Sequence, residues 1–279
     1  MLYQPSVIKD ILTRHGFQTK KQLGQNFLID GNIIRNIMDK ANIGPEDNII
    51  EIGPGIGTLT EALASRASQV IAIEKDDDLL PVLEETLPQD NIKVIHGDIL
   101  KIDLAPIVEE LSAKGPVKVV SNLPYYITTP IIAMLLESKL PIKSITVMVQ
   151  QEVGERMVAG PGSKTFGALS LLCSYYSKPA LIQKAPAGVF MPRPKVDSVV
   201  VNLEIIESRN FEYEDKMFKL IHAAFMKRRK TLSNALSIVE KDVLEKALKK
   251  ADIDSNLRPE ALGIDKWMSL TEAIEGERL

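Results

Sequence analysis

The sequence predicts an α/β fold: a mostly parallel sheet built from repeating βα units, followed by a small all-helical C-terminal domain. Three observations carry that expectation. Apolar strand-like runs recur about every twenty residues, around Ile49, Val70, Val94, Val119 and Ile145. Between them lie segments with helical spacing of apolar positions, such as Asp78 to Leu87 and Ile131 to Glu137. Beyond the polar stretch Glu207 to Asp215 the pattern is helical to the end, as in Val243-Leu-Glu-Lys-Ala-Leu248. The division falls at 1–207 and 208–279. A tail of about 70 residues makes a marginal core, so it is expected to dock on the sheet domain.

The elements follow in order. Gln25-Asn26-Phe27-Leu28 leads into a helix from Asn32 to Ala41 with Ile33, Ile37 and Met38 on one face. Asn48-Ile-Ile-Glu51-Ile is a buried strand that runs into Gly53-Pro-Gly55-Ile-Gly57, and then into a helix that Thr58 caps and Leu59 and Leu63 anchor. Gln69 to Glu74 and Ile92 to His96 are further strands, the first ending in a carboxylate and the second reaching Gly97-Asp98. Val117 to Val120 is a fourth, ending in Ser121-Asn122-Leu123-Pro124-Tyr125-Tyr126. Later, Ala180 to Gln183 and Ser198 to Ile206 have no full helix between them, so an antiparallel hairpin finishes the sheet.

Strand, glycine loop, helix is a nucleotide cradle, because glycine lets the backbone pass close to a ligand and a helix start presents unpaired amides. Glu74 follows about 20 residues on, where an acidic side chain meets ribose hydroxyls in doubly wound folds. The alternating Gly53, Gly55 and Gly57 depart from the dinucleotide fingerprint and disfavour a nicotinamide dehydrogenase. Asp98 is placed to accept a bond from an adenine amino group, or is simply a turn residue. Asn122 offers an acceptor, Pro124 pins the backbone, and Tyr125 offers a face for a flat heterocycle. Taken alone, that run is equally an ordinary strand exit.

Gln25-Asn-Phe-Leu28, Glu51-Ile-Gly-Pro-Gly55, Glu74, Gly97-Asp98, Asn122-Leu-Pro-Tyr125 and Val189-Phe-Met-Pro-Arg-Pro-Lys-Val-Asp-Ser198 occur in one order over nearly the whole chain. In this the sequence resembles the ribosomal RNA adenine dimethyltransferases, most closely the bacterial kind that dimethylates two adjacent adenosines near the 3′ end of 16S rRNA. The resemblance implies a Rossmann-like class I methyltransferase domain using S-adenosylmethionine. It maps cofactor contacts to Asn26, Leu28, Gly53, Gly55, Glu74, Asp98 and Asn122. It places the target base at Asn122, Leu123, Pro124 and Tyr125, with Phe190 opposite Tyr125 in a proline loop poorly suited to burial. It implies as partner the 16S rRNA of the immature small ribosomal subunit. A large-subunit methyltransferase and a non-catalytic RNA-binding assembly or transcription factor share the fold and stay open as rivals.

Composition narrows the rest. With 279 residues, 45% of them hydrophobic, the chain can bury a real core. The single cysteine, Cys173, excludes a disulfide framework and reads as a buried helix residue. His15, His96 and His222 are scattered, so no metal site is expected. With no leader pattern and no long apolar run, a cytoplasmic, monomeric protein that keeps clear of membranes is the simplest expectation. A net charge of −3 is not that of a general RNA binder, so contact with RNA must use local basic surface. Lys227, Arg228, Arg229 and Lys230 are the candidates, unless they are a solvated helix end; Lys20, Lys21, Arg193 and Lys195 come next.

Overall fold

The computed structural model describes residues 1–18, 24–206 and 209–277. Contacts divide the chain into two compact units, Met1–Gly154 with Lys178–Ile205, and Glu155–Ser177 with Ile206–Leu279.

In chain order the first unit contains α1 (Pro5–Arg14), β1 (Phe27–Leu28), α2 (Gly31–Lys40), β2 (Asn48–Ile52), α3 (Thr58–Ala64), β3 (Gln69–Glu74), α4 (Leu80–Thr86), β4 (Ile92–His96), α5 (Ala105–Ser112), β5 (Val117–Asn122), α6 (Thr128–Glu137) and β6 (Ile142–Gln150). After α7 (Gln151–Met157) and α8 (Ala168–Tyr176) come β7 (Ser177–Ala185), β8 (Phe190–Met191) and β9 (Ser198–Ile205). Seven strands form one sheet in the order β4-β3-β2-β5-β6-β9-β7. Strands β2 to β6 pair in parallel, and β9 runs antiparallel to β6 with Gln150 opposite Ser198. From β2 the chain steps outward to β3 and β4, then returns to lay β5 on the other side of β2. That reversal is a topological switch point, where the carboxyl ends of neighbouring strands open a crevice.

Local chemistry builds these elements. Every residue of β2 is buried, as a parallel strand covered on both faces requires. Asp30 caps α2 by accepting from the Asn32 and Ile33 amides, and Ile33, Ile34, Ile37 and Met38 turn inward, each worth roughly 1.5–3 kcal/mol on burial. The cap expected of Thr58 falls instead to Gly57, whose φ of 88° is left-handed and whose Cβ would lie 2.7 Å from Leu87. Thr58 is the first helical residue, buried, while Leu59 and Leu63 anchor the helix as expected. A two-stranded ladder joins β1 to β8, with Phe27 opposite Met191 and Leu28 opposite Phe190, and the Ile29 amide donates to the Val189 carbonyl at 2.8 Å.

The second unit carries α9 (Glu214–Phe225), α10 (Leu232–Ala235), α11 (Lys241–Lys250) and α12 (Ile264–Glu277). Its core gathers Met217, Ile221, Leu244 and Trp267 with Phe166, Leu171 and Tyr175. The helical unit therefore differs from the span 208–279: it also takes in residues 155–177, whose apolar side chains supply the surface a short tail lacks. Cys173 is buried in α8, and burial pushes its thiol up to about 12. Among the described residues no helix is long and apolar enough to cross a membrane.

Candidate active site

Four strand ends of the first unit meet around one cavity of about 920 Å³, counted with its open mouth. The turn after β2 brings Gly53 and Gly55, β3 ends in Glu74, the turn after β4 brings Asp98, and β5 ends in Asn122 followed by Leu123, Pro124 and Tyr125. Residues 24–28, with Asn26 and Leu28, close one side. At Gly55, φ is +63° and an added Cβ would stand 3.1 Å from the Phe27 ring, so a side chain there would be strained and would press the ring away from the loop.

The polar groups are held in place. Glu74 accepts from the amides of Lys75 and Asp76 at 2.8 Å through Oε1 and from Gly55 at 3.3 Å through Oε2, tying the strand end to the glycine loop. Burial nevertheless raises its pKa. Asp98 accepts from the Leu100 amide and pairs with Lys75 Nζ at 3.0 Å, and that lysine holds its carboxyl below the usual range. Glu51 is wholly buried on β2 beside the cavity, and its Oε2 finds no hydrogen-bond partner among the described residues. Desolvation drives Glu51 up to about 8 and the charge of Glu74 adds to the rise; the nearby Thr60 hydroxyl opposes it without closing a bond of normal geometry.

Asn122 Nδ2 donates to the Asn26 carbonyl at 3.1 Å, which leaves Oδ1 as the acceptor at the strand end. The Pro124 carbonyl already accepts from the Ile127 amide at 3.3 Å and from Thr128 Oγ1 at 3.0 Å, so its acceptor capacity is spent. The half-buried Tyr125 hydroxyl lies 2.6 Å from Ser198 Oγ.

Asn26, Leu28, Gly53, Gly55, Glu74, Asp98, Asn122, Leu123, Pro124 and Tyr125 thus surround one space. Phe190 does not join them. It lies on β8, 3% exposed, packed with Leu28, Ala185 and Val200, because strand pairing and apolar neighbours outweigh the prolines that follow it. Lys75, Asp76, Gln25 and Tyr126 also line or brace the cavity, with Gln25 Nε2 donating to Asp76 Oδ2 at 2.6 Å. Lys75 and Asp76 had one signal in the sequence, their adjacency to Glu74.

In the second unit, Phe225 to Lys230 with Asn234 line a surface groove. Its cations are unequal. Arg228 donates to the carbonyls of Lys164 and Phe166 at 3.2 and 3.1 Å, and Lys227 to Ser237 Oγ at 2.6 Å. Arg229 and Lys230 stand exposed beside Met226, which is 86% exposed. Arg193 and Lys195 are exposed on the first unit, and Lys20 and Lys21 lie outside the described residues.

The profile of the family described as "Ribosomal RNA adenine dimethylase" matches residues 16–275. The chain belongs to that family. Among similar proteins, the ribosomal RNA small subunit methyltransferase A of Alkaliphilus oremlandii is 49% identical over 270 residues, covering 94% of both chains. The protein of that name from Clostridioides difficile is 46% identical over 272 residues, covering 95% of this chain and 94% of its own. Of solved structures, a dimethyladenosine transferase from Plasmodium falciparum superposes with a TM-score of 0.80 at 25% identity, covering 91% of this chain and 98% of that one. The 23S rRNA methyltransferase ErmE gives 0.69 at 26%, covering 90% and 100%. An α/β dimethylase with a parallel sheet and a C-terminal helical part is therefore the right frame for the cavity.

Proposed function

We propose that the chain dimethylates the N6 amines of two adjacent adenosines near the 3′ end of 16S rRNA, in the immature small ribosomal subunit. It acts as a cytoplasmic monomer using S-adenosylmethionine. The observation that carries this reading is the convergence of the glycine loop, Glu74, Asp98 and Asn122 to Tyr125 on one cavity at the switch point.

The residues present fit that cofactor. A side chain at Gly55 would be strained and would crowd Phe27, carboxylates stand at or just past the ends of two adjacent strands, and the buried Glu51 Oε2 has no partner among the described residues. Glu74 would hold the ribose hydroxyls and Asp98 the adenine amino group, with Asn26, Leu28 and Gly53 closing around the remainder. When bound, the cofactor supplies a methyl group activated by its sulfonium.

The chain's own residues do the positioning. An adenine amine is a poor nucleophile because its lone pair is delocalised into the ring. Asn122 Oδ1 and the Leu123 carbonyl accept its two N–H bonds and aim the lone pair; Pro124 shapes the turn, its carbonyl being already committed. Tyr125 offers a stacking face worth roughly 1–3 kcal/mol, which offsets drawing the base from its loop. Alkylation acidifies the amine, so its proton leaves to water without a dedicated base. Arg229 and Lys230 are the cations best placed to meet phosphate.

The decisive experiment is mass mapping of small- and large-subunit RNA after incubation with the protein and S-adenosylmethionine. Dimethylated adenosines confined to 16S RNA support the reading. Methylation of large-subunit RNA would favour the activity named for ErmE, and no methylation of either would leave a non-catalytic RNA binder.

A further inference from the structure

Ser198 has no part in the site as built so far, yet it is 1% exposed and its hydroxyl lies 2.6 Å from that of Tyr125. It opens β9, two strands away from β5, and is held there by pairing with Gln150. Its neighbour Asp197 binds in two directions: Oδ1 accepts from the Ala187 amide at 2.8 Å, and the carbonyl accepts from the Gln151 amide at 2.9 Å. The pair Asp197–Ser198 therefore fixes the segment before Phe190, the end of β6, and the phenol of Tyr125 to one another. A serine hydroxyl buried this deeply without a partner would cost about 1–3 kcal/mol, so the contact is well specified.

We propose that Ser198 is a positioning residue for methyl transfer: by holding the phenol oxygen it fixes where the Tyr125 ring sits, and its contribution is greatest for the second methyl group. This rests on the reading of Tyr125 as the stacking face. An unmethylated adenine amine offers two N–H bonds, and the Asn122 and Leu123 acceptors can orient it. After one transfer a single N–H remains, and the added methyl must also be accommodated. Hydrogen bonding then constrains the amine about half as well, so alignment leans on the stacked ring. In each round the nitrogen lone pair forms the new N–C bond, the C–S electrons stay on sulfur, and one N–H proton passes to water.

The test measures mono- and dimethyladenosine formed on unmodified small subunits by wild type, Ser198→Ala, Ser198→Thr, Tyr125→Phe and Tyr125→Ala, with cofactor affinity followed by calorimetry. Expected are a roughly tenfold loss of dimethyl product and accumulation of monomethyl product in Ser198→Ala. Tyr125→Phe, which keeps the ring and deletes the other half of the contact, should match it. Cofactor affinity should be unchanged, and Ser198→Thr should restore the wild-type product ratio. If Ser198→Ala fails to fold, Tyr125→Phe decides. Wild-type product ratios in Ser198→Ala and Tyr125→Phe, with Tyr125→Ala still impaired, would overturn the inference and leave the stacking role standing. Wild-type behaviour of Tyr125→Ala would overturn both.

Discussion

Replacing Glu51 with Gln should change how stability depends on pH more than it changes the fold. The carboxyl is buried, its Oε2 has no partner among the described residues, and it holds its proton up to about pH 8 in the folded chain, against an ordinary 4.5. Between those values the native state keeps a proton that the unfolded chain has released. Since stability rises with pH only where the unfolded state binds more protons, this residue makes stability fall as pH climbs from 4.5 to about 8. Each pKa unit is worth about 1.4 kcal/mol, so the full loss is at most about 4–5 kcal/mol. Glutamine is neutral throughout and nearly isosteric. Urea unfolding at pH 5.5 and pH 8, without cofactor, should show the wild type losing more stability than Glu51→Gln, by about 2–3 kcal/mol given partial relaxation. Parallel profiles for the two proteins would refute the argument and mean that Glu51 is ionised or solvated in the native state.

Glu74→Ala should weaken S-adenosylmethionine binding about ten- to a hundredfold, the worth of a charge-assisted bond pair, and calorimetry on the folded variant checks it. Asn122→Ala should cut single-turnover methyl transfer at least tenfold more than it cuts cofactor affinity, because its Oδ1 serves the reacting amine; equal losses would make it a cofactor ligand only. Arg229→Glu with Lys230→Glu should weaken binding to small subunits and flatten the dependence on log salt by about one to two, one for each lost phosphate contact. Arg228→Glu should instead lower the melting temperature, since that guanidinium braces the carbonyls of Lys164 and Phe166.

Much of this was legible in the residues. Strands such as Asn48 to Ile52 are apolar throughout, and parallel strands buried on both faces can hardly look otherwise. The carboxylates and the amide at strand ends were visible because chain order places them after those runs. What the pattern hid depends on three-dimensional neighbours. Phe190 sits among prolines in sequence, but its environment is set by Leu28, over 160 residues earlier. The two donors that occupy the Pro124 carbonyl, Ile127 and Thr128, reach it only through the turn that follows, which no strand pattern announces. The cations of the 227–230 cluster looked equivalent because charge is readable in sequence and partners are not. The helical unit drew in residues 155–177 because apolar area, rather than position along the chain, decides what packs together.

The ladder between β1 and β8 has a temporal consequence. Two methyl groups consume two cofactors, so spent cofactor must leave and fresh cofactor enter between the two transfers. Leu28 borders the cofactor space, and its strand partner is Phe190, three residues beyond the Ala187 amide that Asp197 grips. Residues 27–28, Phe190, Asp197, Ser198 and Tyr125 are thus joined by one line of contacts that runs from the cofactor space to the base wall. If cofactor exchange proceeds by movement of residues 24–28, the same contacts would carry that movement to Tyr125, and the monomethylated adenosine would be held least firmly between its two methyl transfers.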